Sequence, residues 1–124
     1  MDPALQEGVR LFNAQKFFEA HEALEALWLK KGGEEKNFLH GLIQVAAAFH
    51  HFTRGNLAGF RSLLEKGSIK LENSAAVRDE IRLARFLTQL EPWRQWAQLP
   101  AHQHSETPVR ISSRGLPPLP KIRA

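Results

Sequence analysis

The stretch FLHGLIQVAAAFHHF, residues 38–52, decides the fold class of this chain. Its large apolar residues recur every three or four positions, the spacing that places side chains on one face of an α-helix. That apolar face consists of Phe38, Leu42, Val45, Phe49 and Phe52. The pattern predicts a long helix that buries one side in a core.

The opposite face of this stretch is polar. It presents His40, Gln44, Ala47 and His51, and His50 lies on the flank beside Leu39 and Ile43. A small residue among imidazoles and an amide could let another helix, or a ligand, approach closely. This face is therefore the first candidate for a functional site.

Helical spacing continues on both sides of this stretch. The pair Asp2-Pro3 is a good helix start, an N-cap residue and a preset φ, and it predicts a first helix that ends near Asn13. A second helix is expected from about residue 16 to 31, where Gly32-Gly33 stops it. The long helix then covers about residues 34–53.

Two further helices are expected after Gly55. Asn56 can cap the fourth helix, and Gly67 falls on its apolar seam, which indicates a close approach to another helix rather than a break. The fifth is expected over about residues 75–90, where Glu91-Pro92 ends it. A short turn with Trp93 and Trp96 follows.

The predicted fold is all-α: a closed bundle of about five helices in residues 1–99. A weak echo between residues 12–17 and 52–57 is typical of tetratricopeptide-like helical hairpins, but two units are too few for an open solenoid. Residues 100–124 hold five of the seven prolines and are expected to be an irregular, proline-rich segment. Its apolar part, 116–122, is expected to pack on the body; a proline-rich docking ligand is the alternative.

Composition excludes several classes of function. The chain of 124 residues has a net charge of +4, but residues 1–99 carry only +1 and residues 100–124 carry +3, so no basic stripe favours nucleic acid. It has no cysteine, hence no disulfide or thiolate site. The longest apolar run is Val45 to Phe49, too short to cross a membrane, and no signal peptide is evident, so a soluble cytoplasmic protein is expected.

The second helix carries polar residues close to its apolar face. On a helical wheel His21 and Glu25 lie within or beside the apolar sector, and Glu22 lies at its edge. Four residues separate His21 from Glu25, so the two side chains can pair. Because burying an ionisable pair costs several kcal/mol without hydrogen bonds, we expect the pair to face a polar cluster between the second and third helices.

Three interpretations of this cluster stay open. It can be a structural network in which His21 and Glu25 satisfy each other. It can hold a divalent metal, with His21, Glu25 and His50 as candidate ligands, although neither Glu-x-x-His nor His-Glu-x-x-His is present. It can also support acid–base chemistry by Glu22 or Glu25 with His21, without an accompanying nucleophile or oxyanion-hole pattern.

Several segments together resemble a known family. They are Phe12-Asn13, residues 17–28 (FFEAHEALEALW), residues 38–51 (FLHGLIQVAAAFHH) and residues 55–59 (GNLAG), and they resemble the family catalogued as domain of unknown function 309. The resemblance covers about residues 8–72, and Pro120-Lys121-Ile122 is similar to the family's usual ending. It implies a small all-α bundle of bacteria, archaea and plastids, and no activity.

The positions that match the family's polar motif are His21, Glu22, Glu25, His40, Gln44, His50 and His51. Our leading hypothesis is a non-catalytic binding or interaction module that takes a protein or small-molecule ligand in a groove at this cluster, without a resident cofactor. The alternative is a metal-dependent, hydrolase-like enzyme that uses the same residues. A structural homodimer that hides the cluster is a third possibility.

Overall fold

Five α-helices make up the regular structure in the computed structural model, which describes residues 2–74, 81–99 and 116–123. They are α1 (Pro3–Asn13), α2 (Phe17–Trp28), α3 (Gly33–Thr53), α4 (Leu57–Asn73) and α5 (Leu83–Ala97). These ranges contain no strand. The predicted all-α fold class is confirmed.

Two of the predicted helix starts are confirmed atom by atom. The carboxylate of Asp2 accepts a hydrogen bond from the backbone N–H of Ala4 at 2.8 Å, and Pro3 occupies the first turn of α1. The side chain of Asn56 accepts from the N–H of Gly59 at 3.0 Å and caps α4. Each cap satisfies an amide that has no partner within its helix.

Helix α3 forms the centre of the bundle, with α2 packed on one side and α4 on the other. Its predicted apolar face is buried, and the Phe49 ring contacts aromatic rings from each of the other four helices. The rings around Phe49, at centroid distances of 5.2–6.4 Å, belong to Phe12, Phe17, Phe52, Phe60 and Trp93. Most of these contacts are edge-to-face, the favoured geometry for aromatic pairs.

The α3–α4 interface depends on two glycines that let the backbones approach. A Cβ atom built on Gly67 would lie 2.9 Å from the carbonyl oxygen of Gly41 and 3.0 Å from the backbone nitrogen of Val45. Real Cβ atoms essentially never approach backbone atoms this closely. The prediction that Gly67 is a close-approach position inside one helix is confirmed.

The predicted end of the fifth helix is wrong. Pro92 does not end α5 but lies inside it, and the helix continues to Ala97. Proline removes one helical hydrogen bond, yet continuing the helix buries Trp93 and Ala97 and packs Trp96 against the core. That burial outweighs the lost bond. The predicted start near residue 75 is also wrong, since residues 81 and 82 are not helical and α5 begins at Leu83; residues 75–80 lie outside the described residues.

Residues 116–123 form a strap that contacts the end of α1 and runs along α5. The Asn13 side chain donates to the carbonyl of Ile122 at 2.9 Å and accepts from its N–H at 2.8 Å. The Trp93 indole N–H donates to the carbonyl of Pro118 at 2.8 Å. Ile122 is buried. The predicted irregular segment at 100–115 lies outside the described residues.

None of the helices in the described ranges combines the length and hydropathy needed to cross a lipid bilayer. This agrees with the sequence, in which polar residues interrupt every apolar run.

Candidate functional site

A groove runs along the outward face of α3, and α2 and α4 form its walls. It consists of two adjoining cavities that share His21 and Ala47. The first cavity has a volume of about 220 Å³ and is lined by His21, Glu25, Trp28, His40, Ile43, Gln44, Ala47 and Leu63. The second has a volume of about 270 Å³ and is lined by Phe18, His21, Ala47, His50 and His51. We call the two cavities together the imidazole groove.

The groove contains nearly all of the polar residues predicted as one cluster. His21 and Glu25 come from α2, and His40, Gln44, His50 and His51 come from α3. They converge because α2 packs beside α3 with its His21 flank turned toward the polar face of α3. Glu22 is exposed and lines neither cavity, so its predicted place in the cluster is wrong.

Glu25 is shallower than its position on the helical wheel indicated. Its side chain is 51% exposed, whereas that of His21 is 28% exposed, and Glu25 Oε2 lies 3.8 Å from His21 Nε2. The wheel places the Cβ atom of Glu25 at the edge of the apolar face, and the flexible side chain then extends into water. The expectation of a buried carboxylate–imidazole pair is wrong; only the imidazole is turned inward.

Two buried polar atoms on the groove wall have no hydrogen-bond partner among the described residues. They are His21 Nδ1 and Gln44 Oε1. An unsatisfied buried donor or acceptor costs about 1–3 kcal/mol, and native proteins contain few of them. Because both residues line the first cavity, a bound group could supply the missing partners after small side-chain rotations.

Burial and positive neighbours lower the pKa of two groove histidines. Desolvation lowers the pKa of His40, and the Lys70 ammonium lowers it further. Desolvation also lowers the pKa of His50; Arg54, His51 and His21 add to this effect, and Glu19 opposes it. Both imidazoles are therefore biased toward the neutral form, in which one ring nitrogen donates and the other accepts a hydrogen bond.

The cap of α4 fixes the tautomer of His51. Asn56 Oδ1 accepts from Gly59 N–H, which leaves the Asn56 amide nitrogen to donate to His51 Nδ1 at 3.2 Å. With Nδ1 as the acceptor, the neutral ring carries its proton on Nε2. A residue that begins a helix thus also orients a groove side chain.

The sequence profile of the family described as domain of unknown function (DUF309) matches residues 5–63. This range covers most of α1, all of α2 and α3, and the first turns of α4. Residues 5–63 are therefore similar to DUF309 domains. The match contains every residue that lines the imidazole groove, from Phe18 to Leu63. The resemblance drawn from the sequence motifs is confirmed.

A protein of Aquifex aeolicus (strain VF5), described as an uncharacterized protein, is similar to this chain. The two are 34% identical over 70 residues, which is 56% of this chain and 21% of the relative. The chain therefore spans about a fifth of the length of that relative. The similarity supports a shared domain and carries no activity.

Phe18, Trp28 and Leu63 line the imidazole groove but were not predicted as site residues. Phe18 is 48% exposed and packs against the His50 ring at 5.2 Å, and Leu63 reaches the groove from α4. Trp28, interpreted from sequence as a core-edge aromatic, packs against the His40 ring at 5.6 Å. Phe18 stands off the apolar face of α2, and a large aromatic residue in such a position is the signal that could have identified it.

The metal hypothesis gains no support from the imidazole groove. Within residues 2–74, 81–99 and 116–123, no three histidine, aspartate or glutamate side chains are placed to hold a metal ion. The candidate ligands His21, Glu25 and His50 are split between the two cavities, with Glu25 on the first and His50 on the second.

Proposed function

We propose that the imidazole groove binds a small organic ligand and that the domain is a non-catalytic binding module. The observation that carries this proposal is that His21 Nδ1 and Gln44 Oε1 are buried and unpartnered in the described part of the chain, and that both residues line one cavity. A ligand that donates a hydrogen bond to Gln44 Oε1 and pairs with His21 Nδ1 would remove the energetic cost of leaving these two atoms without partners.

The size and lining of the groove support a small ligand. Each cavity is somewhat smaller than ordinary ligand pockets, which range from about 300 to 1,000 Å³, and this size suits a small ligand. The walls combine aromatic and aliphatic side chains with a few polar ones, the usual composition of such a pocket. Aromatic walls come from Phe18 and Trp28, and aliphatic surface comes from Ile43, Ala47 and Leu63.

The same lining favours binding over catalysis. Among the described residues that line the two cavities, none is a serine, threonine, lysine or cysteine that could act as a nucleophile. The one carboxylate, Glu25, is half exposed to water and therefore lacks the buried setting that raises the pKa of a general acid.

A fragment screen on the ¹⁵N-labelled full chain tests this proposal. We expect small heteroaromatic amides to shift the side-chain amide signals of Gln44 and the backbone signals of α2 and α3, with millimolar affinity. Gln44→Leu should weaken these fragments at least fivefold because it removes the polar partner. Gln95→Leu, an exposed position on α5, is the matched control and should bind as the original chain does.

Two results would count against the groove as a binding site. One is a screen in which no fragment shifts groove signals more than those of the remaining surface. The other is a Gln44→Leu variant that is folded and binds every fragment with unchanged affinity.

A further inference from the structure

The two cavities of the imidazole groove differ in charge. Glu25 lines the first cavity, whereas the second is lined by three imidazoles and no carboxylate. Arg54 follows one turn after His50, close enough to lower its pKa, and Glu19 is the acidic group that opposes this effect. The polar residues that line the second cavity are thus imidazoles, which are neutral donors or can become cations, with Glu19 as the one carboxylate that acts on His50.

The neutral His51 ring can donate one hydrogen bond in the second cavity without taking up a proton. The hydrogen bond from Asn56 to His51 Nδ1 places the proton of the neutral His51 ring on Nε2. His50 supplies the adaptable group because it can gain a proton when a negative charge compensates for its desolvation. The cavity can therefore present one fixed donor and acquire one positive charge, a combination that suits a monoanion.

The carbonyl groups at the end of α3 are already engaged and do not compete for these donors. The His51 carbonyl accepts from the N–H groups of Arg54 and Asn56, at 3.1 and 2.9 Å. The His50 carbonyl accepts from the Thr53 hydroxyl at 2.7 Å. These bonds reduce the negative field that an unsatisfied helix C-terminus would direct at a bound anion.

An exposed aromatic ring gives the same cavity an apolar side. Phe18 stacks on His21 with an interplanar angle of 15° and a centroid distance of 6.3 Å, and about half of its surface is in water. Ala47 also lines this cavity. A flat apolar body placed against Phe18 and Ala47 would cover surface that now contacts solvent.

From these features we infer that the second cavity binds the carboxylate of a small aromatic acid, with the acid group at His50 and His51 and the ring against Phe18. This inference rests on the proposed function of the groove and names the chemical class of its ligand. It also implies that binding takes up a proton at the groove.

The direction of the pH dependence follows from the neighbours of His50. In the free protein burial, Arg54, His51 and His21 lower the pKa of His50 and only Glu19 raises it. A bound carboxylate favours the protonated ring, so the complex has the higher pKa and binds the additional proton. Affinity should therefore rise as the pH falls from 8 to 6, a range in which an ordinary carboxylic acid, with a pKa of about 4, stays ionised.

The test compares benzoate with benzamide, a neutral molecule of nearly the same shape, by NMR titration of the full chain. We expect benzoate to shift the signals of Phe18, His50 and His51, to bind at least tenfold more tightly than benzamide at pH 6, and to weaken at least fivefold by pH 8. In the same titration the pKa of His50 should rise when benzoate is bound.

His50→Gln should remove most of the pH dependence and weaken benzoate at pH 6 to the level of benzamide. Arg85→Gln, which removes a positive charge at an exposed position on α5, controls for general electrostatics and should change nothing. If the His50→Gln variant does not fold, the titration of His50 in the original chain still decides the question.

The outcomes separate this inference from the proposed function. If benzamide and benzoate bind the groove equally at both pH values, the acid preference is refuted and the groove remains a binding site. If benzoate binds elsewhere or leaves the pKa of His50 unchanged, the inference is likewise refuted. If the broad fragment screen also leaves the groove signals unmoved, both proposals fail.

Discussion

Glu25 stands at the rim of the imidazole groove with about half of its side chain in water. Its partner His21 is deeper and stacks on Phe18. A pair of this kind, exposed on one side and separated by 3.8 Å, contributes little to stability because water screens the attraction. At this position the free energy of unfolding should therefore depend more on the partly buried imidazole than on the carboxylate.

Replacing Glu25 with alanine should change the free energy of unfolding by no more than about 0.5 kcal/mol. Urea denaturation followed by circular dichroism measures this change. Leu24→Ala, at the buried neighbouring position, is the positive control and should cost about 2–5 kcal/mol because it opens a cavity. A loss of more than 2 kcal/mol in the Glu25 variant would show that its carboxylate is an essential buried partner.

The lowered pKa values of His40 and His50 predict that acid weakens the fold. A histidine whose pKa is lower in the folded state takes up its proton more readily in the unfolded chain, so stability present at pH 7.5 is lost as the pH falls below about 6.5. Urea midpoints between pH 7.5 and 5.5 should therefore decline. The double variant His40→Gln, His50→Gln should show a shallower decline, and parallel curves would contradict the assignment.

At the scale of the helices, capping residues predicted the starts of α1 and α4, whereas both bounds of α5 were missed. Asp2 and Asn56 act on amides two or three residues away, so sequence alone identifies them. The end of α5 is decided instead by what the following turn buries: Pro92 lacks an amide, but Trp93 one residue later is fully buried. No local rule reports that gain, because it depends on the core that the other helices form.

The glycine contact between α3 and α4 gives a prediction with an unusual sign. Alanine normally stabilises a helix relative to glycine by about 1 kcal/mol. Gly67→Ala should nevertheless lower stability by about 1–3 kcal/mol, because the new methyl group meets the backbone of Gly41 and Val45 and the helices must separate. Thermal and urea unfolding measure the change.

Ser62→Ala, at an exposed position of the same helix, is the matched control for Gly67→Ala. It should leave the unfolding midpoint unchanged or raise it slightly, as helix propensity requires. A Gly67→Ala variant as stable as this control would mean that the α3–α4 contact is looser than described.

For the whole molecule, periodicity predicted which residues share a face but not how deep each one lies. The polar face of α3 and the His21 flank of α2 could be matched from sequence, because a helical wheel fixes directions. The wheel does not determine how far a flexible side chain extends, which is why Glu25 and Glu22 were placed too deep. Leu63 and Phe18 became groove residues only through the packing of α4 and α2 on α3.

The strap formed by residues 116–123 should contribute measurably to stability. Asn13→Ala removes both hydrogen bonds to the backbone of Ile122 and should cost about 1–3 kcal/mol, since two partly buried backbone groups lose their partner. Asn13→Asp keeps an acceptor for the Ile122 N–H but turns a carboxylate oxygen toward the Ile122 carbonyl oxygen, so it should cost at least as much. Asn73→Ala, an exposed asparagine, is the control. Equal stability of all three variants would mean that the strap is held by apolar contacts alone.

Asn13 and Ile122, which these two hydrogen bonds join, are 109 residues apart in the chain. On the ribosome Asn13 is therefore made long before Ile122, and all five helices have been synthesised by the time Ile122 is added. Until then the first helix lacks its fastening to the far end of the bundle. A nascent chain that stalls between them would hold α1 by its core contacts alone, without the hydrogen bonds between Asn13 and Ile122.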